Sequence, residues 1–163
     1  MKAISLWQPW ASAMTLGSKR IETRHWPTNV RGTVAIHAAR RCVKEELNFL
    51  GAHWNWCGAL NIRMGGDSAR LWSILPFGAI VGVGDLVDCR PSESFTNGEL
   101  DAPRWPGGDK SYFWTERDMG NYDRGRFGWV FENLLRFKTP IPFKGKQGFF
   151  NVPDELFEGV EYA

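Results

Sequence analysis

The sequence predicts an α+β domain, a small and mainly antiparallel β-barrel with two or three helices packed against it. Several short β-prone segments alternate with two or three helical segments, and long loops rich in Gly and Pro connect them. The chain has 163 residues, within the range of about 100–200 residues typical of one domain. No internal repeat, low-complexity tract or linker divides it, so residues 1–163 are predicted to form a single domain.

The chain begins with a predicted strand over residues 2–7 and a short helix over residues 8–17. Pro9 suits the first helical turn, where its missing N–H group costs nothing. Gly17 suits a left-handed cap at the end of the helix. A helix of about two turns is marginal alone, so tertiary packing must hold it.

A second strand is predicted over residues 20–26, directly after that helix. Side chains alternate along a strand, so this segment has two distinct faces. One predicted face carries Glu22, Arg24 and Trp26, and the other carries Ile21, Thr23 and His25.

The remaining predicted elements are four strands and two helices. In the second of these strands, Gly82 and Gly84 lie on one face, where glycine permits close approach of another backbone or a ligand, or a bend. The strands are predicted over residues 33–39, 78–89 and 126–137 and within 139–153, and the helices over 40–53 and 69–78.

Aromatic residues are the unusual part of the composition. The hydrophobic and charged fractions, 43% and 23%, are ordinary for a globular protein. Nine Trp and eleven Phe exceed what one small core needs, so some are expected to line a groove or pocket, where flat rings stack on bases. The net charge of +2 permits an anionic partner without requiring one.

Several classes of protein are disfavoured by the sequence. The three cysteines, Cys42, Cys57 and Cys89, lack CxxC spacing, and the histidines are scattered, so we expect neither a metal nor another cofactor. There is no apolar signal-peptide segment and no apolar run of about 18–20 residues that would span a bilayer. We therefore expect a cytoplasmic protein that does not enter a membrane. The sequence leaves the oligomeric state open, with a monomer as the preferred expectation.

The octet over residues 17–24 carries the strongest motif. Its pattern, Gly-x-Lys-x-x-Glu-x-Arg, resembles the signature of ASCH domains, a branch of the PUA-like superfamily. The segments SLWQPWA, TVAIHAA, IVGVGDLVDC, GWVFEN and KGKQGFFNVP resemble, in order, one bacterial and phage subgroup of that family. The resemblance runs from residue 3 to about residue 153. It implies a PUA-like barrel flanked by helices, with a cleft beside the first helix that binds RNA or a nucleotide.

The same resemblance also implies a candidate catalytic role. Some small ASCH proteins hydrolyse the acetyl amide of N4-acetylcytidine, and others are described as ribonucleases. The family's lysine corresponds to Lys19, and the hydrolase-type octet has Thr at the position of Glu22. A third catalytic carboxylate is assigned to Asp85, with Asp88 as the alternative. The candidate catalytic residues are therefore Lys19, Glu22 and Asp85.

The side chains of the octet also permit an interpretation from their chemistry alone. Lys19 and Arg24 are suited to clamp a phosphate, or Lys19 acts as a nucleophile or base if burial lowers its pKa. Glu22 is suited to orient the lysine, to accept a hydrogen bond from a cytosine amino group, or to act as a base. The alternative is a solvated, charged strand edge that contributes little.

Four further residues complete the predicted ligand site. Trp7 and Gln8 lie at a predicted helix N-terminus, which favours anions, and Gln8 is suited to read a base edge. Trp26 shares a strand face with Arg24, and Lys146 lies in a Gly-flanked turn suited to phosphate. His37, inside an apolar strand, is predicted to be a hydrogen-bonded core residue.

Three functions remain open from the sequence. The first is an RNA- or nucleotide-binding module. The second is a small hydrolase acting on a modified nucleoside or on RNA, and the third is a protein-interaction module that uses exposed aromatic residues. The RNA- or nucleotide-binding module is the preferred prediction.

Overall fold

A computed structural model describes residues 1–41, 71–103 and 114–163. The predicted helix over residues 40–53 lies outside these ranges except for its first two residues, as do Cys42 and Cys57. In chain order the described strands and helices are β1 (Lys2–Leu6), α1 (Trp10–Thr15), β2 (Ile21–Arg24), β3 (Gly32–Ala38), α2 (Leu71–Ile74), β4 (Ala79–Pro91), α3 (Asn97–Leu100), β5 (Phe127–Pro142) and β6 (Phe149–Asn151). Short 3-10 turns cover Ser92–Ser94, Arg117–Met119 and Asp154–Phe157.

The strands in these ranges form one curled, half-barrel sheet in the order β2-β5-β4-β3-β1-β6. Strands β1 and β3 pair in parallel, and the other pairs are antiparallel. The predicted α+β class and mainly antiparallel sheet are therefore confirmed. Among the described residues, no helix is long and apolar enough to cross a membrane.

The main hydrophobic core lies between one face of the sheet and α1. Ala11 and Met14 of this helix are fully buried against the strands, which supplies the tertiary packing that so short a helix requires. Trp129 and Phe131 of β5 are equally buried and belong to the same core. The helix is thereby held beside the start of β2, where the octet lies.

A second core covers the opposite face of the sheet. Phe137 and Phe150 are its largest members, and each is almost completely buried. The chain after β6 covers them with Leu156, Phe157 and Val160. Both faces of the sheet are thus apolar, which accounts for many of the aromatic residues without a ligand site.

Strands β4 and β5 do not follow the strict alternation that their sequences predict. Their ladder shifts register three times, as β-bulges do. Asn133 has φ 48, so the side chains beyond it change faces. Leu134 consequently packs with Trp129 and Phe131, although a strict period of two would put it on the opposite face of the strand.

At Gly82 another part of the backbone does come close, as the sequence predicts for a glycine in a strand. A Cβ atom at this position would lie 2.1 Å from the carbonyl oxygen of Leu135 and 2.8 Å from Cγ2 of Thr15. The space is filled by the backbone of β5 and by a side chain of α1, so no ligand reaches Gly82. A side chain there would push the helix and strand apart.

Candidate functional site

A pocket of about 510 Å³ lies where the turn between β1 and α1 meets β2 and the chain segment before β5. Its volume is in the range of small-molecule sites, about 300–1,000 Å³. The wall combines aromatic, charged and amide side chains. It is lined by Ser5, Leu6, Trp7, Trp10, Glu22, Thr23, Arg24, Asp118, Met119, Gly120, Asn121 and Arg126.

The turn that delivers the octet to this pocket forms as predicted. Gly17 has φ 74, the left-handed conformation expected of a helix cap. Its N–H group donates to Met14 O at 2.8 Å, and that of Ser18 donates to Ala13 O at 2.9 Å. These bonds end α1 and direct Lys19 into the interior.

Lys19 is buried behind the pocket rather than in its wall. Only 1% of its side chain is exposed. Its Nζ donates to the carbonyl oxygens of Ile21 and, at 2.9 Å, Met119, and lies 3.6 Å from Oε2 of Glu22. An ammonium group has three N–H donors, and the two carbonyl oxygens accept from two of them, while Glu22 is an ion-pair partner at a longer distance. The structure does not place Lys19 in position to contact a ligand directly.

Glu22 and Arg24 do reach the pocket, on one face of β2 as predicted. Oε1 of Glu22 lies 3.0 Å from Nε of Arg24. The guanidinium group also donates to Ser5 O at 2.9 Å and lies 5.5 Å from the ring centre of Trp26. Glu22 is therefore a carboxylate held between two cations, and Arg24 is held on three sides.

A second buried carboxylate attaches a distant part of the chain to the octet. Glu116 is fully buried and accepts hydrogen bonds from the backbone N–H groups of Arg20 and Ile21. Together with the bond from Lys19 to Met119 O, it fixes the segment after residue 114 against the start of β2. Much of the pocket wall depends on these contacts.

That segment supplies the site residues that the sequence did not predict. Asn121 N donates to Thr23 Oγ1 at 3.0 Å, and Arg126 Nη2 donates to Thr23 O at 3.3 Å. Arg126 Nε also donates to Asn121 O at 3.1 Å. These bonds bring Asp118, Asn121 and Arg126 into the wall. Their sequence signal was weak, a run of charges beside aromatic residues in a loop.

Gln8 is not brought to the pocket. It is fully buried, and its Nε2 donates to Ser12 Oγ at 2.9 Å and to Pro76 O at 2.8 Å. Its Oε1 accepts from the backbone N–H of Ser12 at 3.1 Å. Because the amide is used inside the protein, it is not available to read a base edge.

The two candidate aspartates of β4 also lie outside the pocket wall. Asp85 accepts from Thr33 at 2.7 Å and from Asn133 at 2.9 Å. Both bonds lower the pKa of Asp85, and the bond from Asn133 has the larger effect. Asp88 accepts from the N–H of Cys89 at 2.7 Å. Among the described residues, the carboxylates that line the pocket are those of Glu22 and Asp118.

The remaining predicted residues border a second depression. Trp7, half of whose surface is exposed, lines both the pocket and an adjacent groove. Trp26 and Lys146 line the groove only. Arg24 and Ser5 belong to both walls, so the pocket and the groove are continuous.

His37 lies beneath this groove and is buried, as predicted. Its Nδ1 atom lies 3.0 Å from Ser5 Oγ, and its Nε2 atom lies 3.0 Å from Phe143 O. A carbonyl only accepts, so Nε2 carries the proton and Nδ1 accepts from the Ser5 hydroxyl. Burial lowers the pKa of His37 below 6.5, and the bond to Phe143 O opposes that shift.

We expect this buried histidine to make stability depend on pH. The unfolded chain takes up the proton near pH 6.5, and the folded protein takes it up only at lower pH. The free energy of unfolding should therefore fall as pH decreases from about 6.5 toward the folded-state pKa. Urea denaturation at about pH 7.5 and about pH 5.5 should show a smaller difference for His37→Gln than for wild type. An equal difference would contradict the assignment.

No group of three or more His, Cys, Asp or Glu residues suited to a metal ion occurs within residues 1–41, 71–103 and 114–163.

Comparison with known proteins identifies relatives of the whole chain. The family model of the ASCH domain matches residues 4–140. Activating signal cointegrator 1 of Mus musculus and that of Homo sapiens are each 24% identical to this chain over 159 residues. The match covers 97% of this chain but 23% of each cointegrator, so the chain spans less than a quarter of their length.

Solved structures show the same fold. The crystal structure of ASCH from Zymomonas mobilis has a TM-score of 0.51 and 15% identity, covering 95% of this chain and 89% of that one. The crystal structure of a tyrosine-to-phenylalanine mutant of the Zymomonas mobilis protein has a TM-score of 0.50 and 16% identity, covering 95% and 91%. The predicted PUA-like fold is confirmed by these likenesses, which concern the fold alone.

Proposed function

Because the chain belongs to the ASCH domain family, we propose that its pocket binds a nucleobase or nucleotide of RNA. The family is linked to RNA binding. The observation that carries the proposal is the joining of an exposed indole, Trp7, with an ion-paired carboxylate, Glu22, in one concave site of about 510 Å³. A base needs a flat surface for stacking and polar groups for its edge.

Glu22 is the side chain best placed to read the edge of a base. Its neighbours Lys19 and Arg24 pair with it and fix its direction. Only 14% of its side chain is exposed, so an incoming hydrogen bond would be shielded from water. A carboxylate accepts from an amino group such as N4 of cytosine. Cytosine and adenine are therefore favoured over uracil, which has a carbonyl at that position.

Lys19 acts in this proposal as a positioning residue. Its ammonium group holds Glu22 and the Met119 carbonyl oxygen from behind, on the side of Glu22 away from the pocket. Phosphate contacts would fall instead to Arg126, which lines the pocket wall.

The first test is calorimetric titration with the four ribonucleoside 5′-monophosphates. Trp7→Ala is expected to weaken binding roughly five- to hundredfold, because stacking on an aromatic side chain is worth about 1–3 kcal/mol per base. Tyr162→Ala is the matched control, since Tyr162 is similarly exposed but lies near Phe137, away from the pocket. Glu22→Gln should reduce the preference for amino-bearing bases.

Equal losses for Trp7→Ala and Tyr162→Ala, or no binding by folded wild type, would contradict the proposal. Circular dichroism of each variant shows whether it is folded. If folded wild type does not bind, the exposed aromatic residues would point to a protein partner instead.

A second proposal for the same pocket is hydrolysis of a modified nucleoside, favoured by the presence of two carboxylates, Glu22 and Asp118, in its wall. A water molecule that gives a proton to Glu22 would add to the acetyl carbon of N4-acetylcytidine. The C–N bond would then break as N4 takes up that proton, and cytidine and acetic acid would leave. The same titration samples, incubated with N4-acetylcytidine and analysed for cytidine, decide between binding alone and turnover.

A further inference from the structure

The groove beside the pocket concentrates positive charge. Its volume is about 1380 Å³, beyond the usual range of sites for a single small ligand, about 300–1,000 Å³. No Asp or Glu occurs among the described residues that line it. The net charge of the whole chain is only +2, so the groove is a local basic surface. Its cationic wall consists of Arg24, Arg40, Arg41, Lys144 and Lys146.

Four of these five side chains, those of Arg40, Arg41, Lys144 and Lys146, are exposed. Within the described part of the chain, no salt bridge involves any of these four. An anion that enters the groove would therefore not have to break an ion pair between these four cations and a carboxylate of residues 1–41, 71–103 or 114–163. Surface cations without carboxylate neighbours are typical of phosphate-binding surfaces.

The turn that carries the two lysines is held in place. His37 donates to Phe143 O, and a Cβ atom on Gly145 would lie 2.3 Å from Cε1 of His37 and 2.6 Å from Ser5 Oγ. Glycine thus lets the turn lie directly on β1 and β3. Lys144 and Lys146 flank this contact, so their backbones have fixed positions along the groove.

We propose that this groove holds the phosphodiester backbone of a single-stranded polynucleotide whose target base enters the pocket. The inference rests on the proposed function and names the class of ligand. The groove and the pocket share Ser5, Trp7 and Arg24, so one strand can occupy both without a break. Trp7 at the border stacks on a base at the point where the strand turns.

A paired duplex does not meet these conditions. The base in the pocket must leave its partner, and in a duplex that costs unstacking and unpairing energy. A free nucleotide, in contrast, would leave the groove empty. The best ligand is therefore a single strand longer than one nucleotide.

Fluorescence anisotropy with labelled single strands of about ten nucleotides tests the proposal, using RNA and DNA of the same mixed sequence and the corresponding duplex. Single strands should bind at least tenfold more tightly than the nucleoside monophosphates and than the duplex. RNA favoured over DNA would identify RNA as the source, and equal binding would show that the shared phosphate backbone is read; either result supports the groove.

The matched variants are Lys144→Gln with Lys146→Gln, and Lys138→Gln, whose lysine is exposed but pairs with Glu161 elsewhere on the surface. The double variant should weaken binding of the strand roughly tenfold and reduce the slope of log affinity against log salt by about 1.4, since each phosphate contact in a single strand contributes about 0.7. Its affinity for a monophosphate should fall by much less, because neither lysine lines the pocket. Lys138→Gln should behave like wild type.

The outcomes separate the two proposals. If a monophosphate binds but the strand binds no more tightly, the groove proposal is overturned and the pocket proposal survives. If neither ligand binds, the proposed function fails as well. Displacement of the strand by polyglutamate at an equal concentration of charges would also overturn the groove proposal, because the groove would then read charge alone.

Discussion

Replacing Lys19 with methionine is expected to lower the free energy of unfolding by about 3–5 kcal/mol, the cost typical of removing one partner from a buried ion pair. Methionine fills similar space but has no N–H group. The carbonyl oxygens of Ile21 and Met119 would lose their donor, and Glu22 would lose one of its two cations. An unpaired polar group inside a protein costs more than a good hydrogen bond contributes.

Urea denaturation followed by circular dichroism measures this change. Lys138→Met is the matched control, because Lys138 is more than half exposed and pairs with Glu161 at 2.9 Å on the surface. Such pairs contribute about 0–1 kcal/mol. If Lys19→Met and Lys138→Met cost the same, the ammonium group of Lys19 is not part of the folded core.

The position of Lys19 changes how its variants should be interpreted. Loss of binding or turnover in Lys19→Ala would follow from a displaced Glu22 and a detached Met119 segment, without any direct contact to the ligand. A functional effect is therefore informative only when stability is measured in parallel. Glu22→Gln and Trp7→Ala, which change the pocket wall itself, are the clearer probes.

The local part of the site could be predicted because it depends on neighbours in sequence. Gly17 ends α1. Glu22 and Arg24 are two residues apart in β2, so they lie on the same face of the strand. Both are consequences of backbone geometry that a short stretch of sequence contains. The predicted limits of the strands from β1 to β4 lie close to those of the structure for the same reason.

The distant part of the site could not be predicted, because it depends on single contacts across the chain. The Glu116 carboxylate accepts from the backbone N–H groups of Arg20 and Ile21, about 95 residues away in sequence. No periodic pattern in the sequence predicts such a bond. Gln8, in contrast, was predicted to contact a ligand, and the structure buries it away from the pocket. Its side-chain amide donates to Ser12 in α1 and to the distant carbonyl oxygen of Pro76. Its position at the start of a predicted helix gave no indication of these bonds.

β-Bulges explain why the side chains of β4 and β5 do not alternate as the sequence predicts. The strict period of two along β4 and β5 fails because inserted residues change the face of every side chain after them. Asn133 is one such point, with a positive φ that asparagine tolerates better than most residues. Its sequence neighbours gave no sign that the alternation would end there.

Replacing Trp129 with alanine is expected to lower the free energy of unfolding by about 3–5 kcal/mol, the range for removing a large aromatic side chain from a core. The indole is fully buried and stacks on Phe149 with ring centres 5.1 Å apart. Leu135→Ala on the same strand is the control, since Leu135 is 45% exposed and should change stability by less than about 0.5 kcal/mol. Urea denaturation must be followed by circular dichroism, because the variant removes a fluorophore.

Trp129→Phe links this core to the proposed site. Phenylalanine keeps the stacking on Phe149 but loses the N–H group that donates to Trp26 O at 3.2 Å, which should cost about 1 kcal/mol. Trp26 lies under the guanidinium group of Arg24, so its release should also loosen the Glu22–Arg24 pair. We therefore expect Trp129→Phe to weaken nucleotide binding while most of the stability remains. A variant that binds as tightly as wild type would show that Arg24 is held by Glu22 and Ser5 alone.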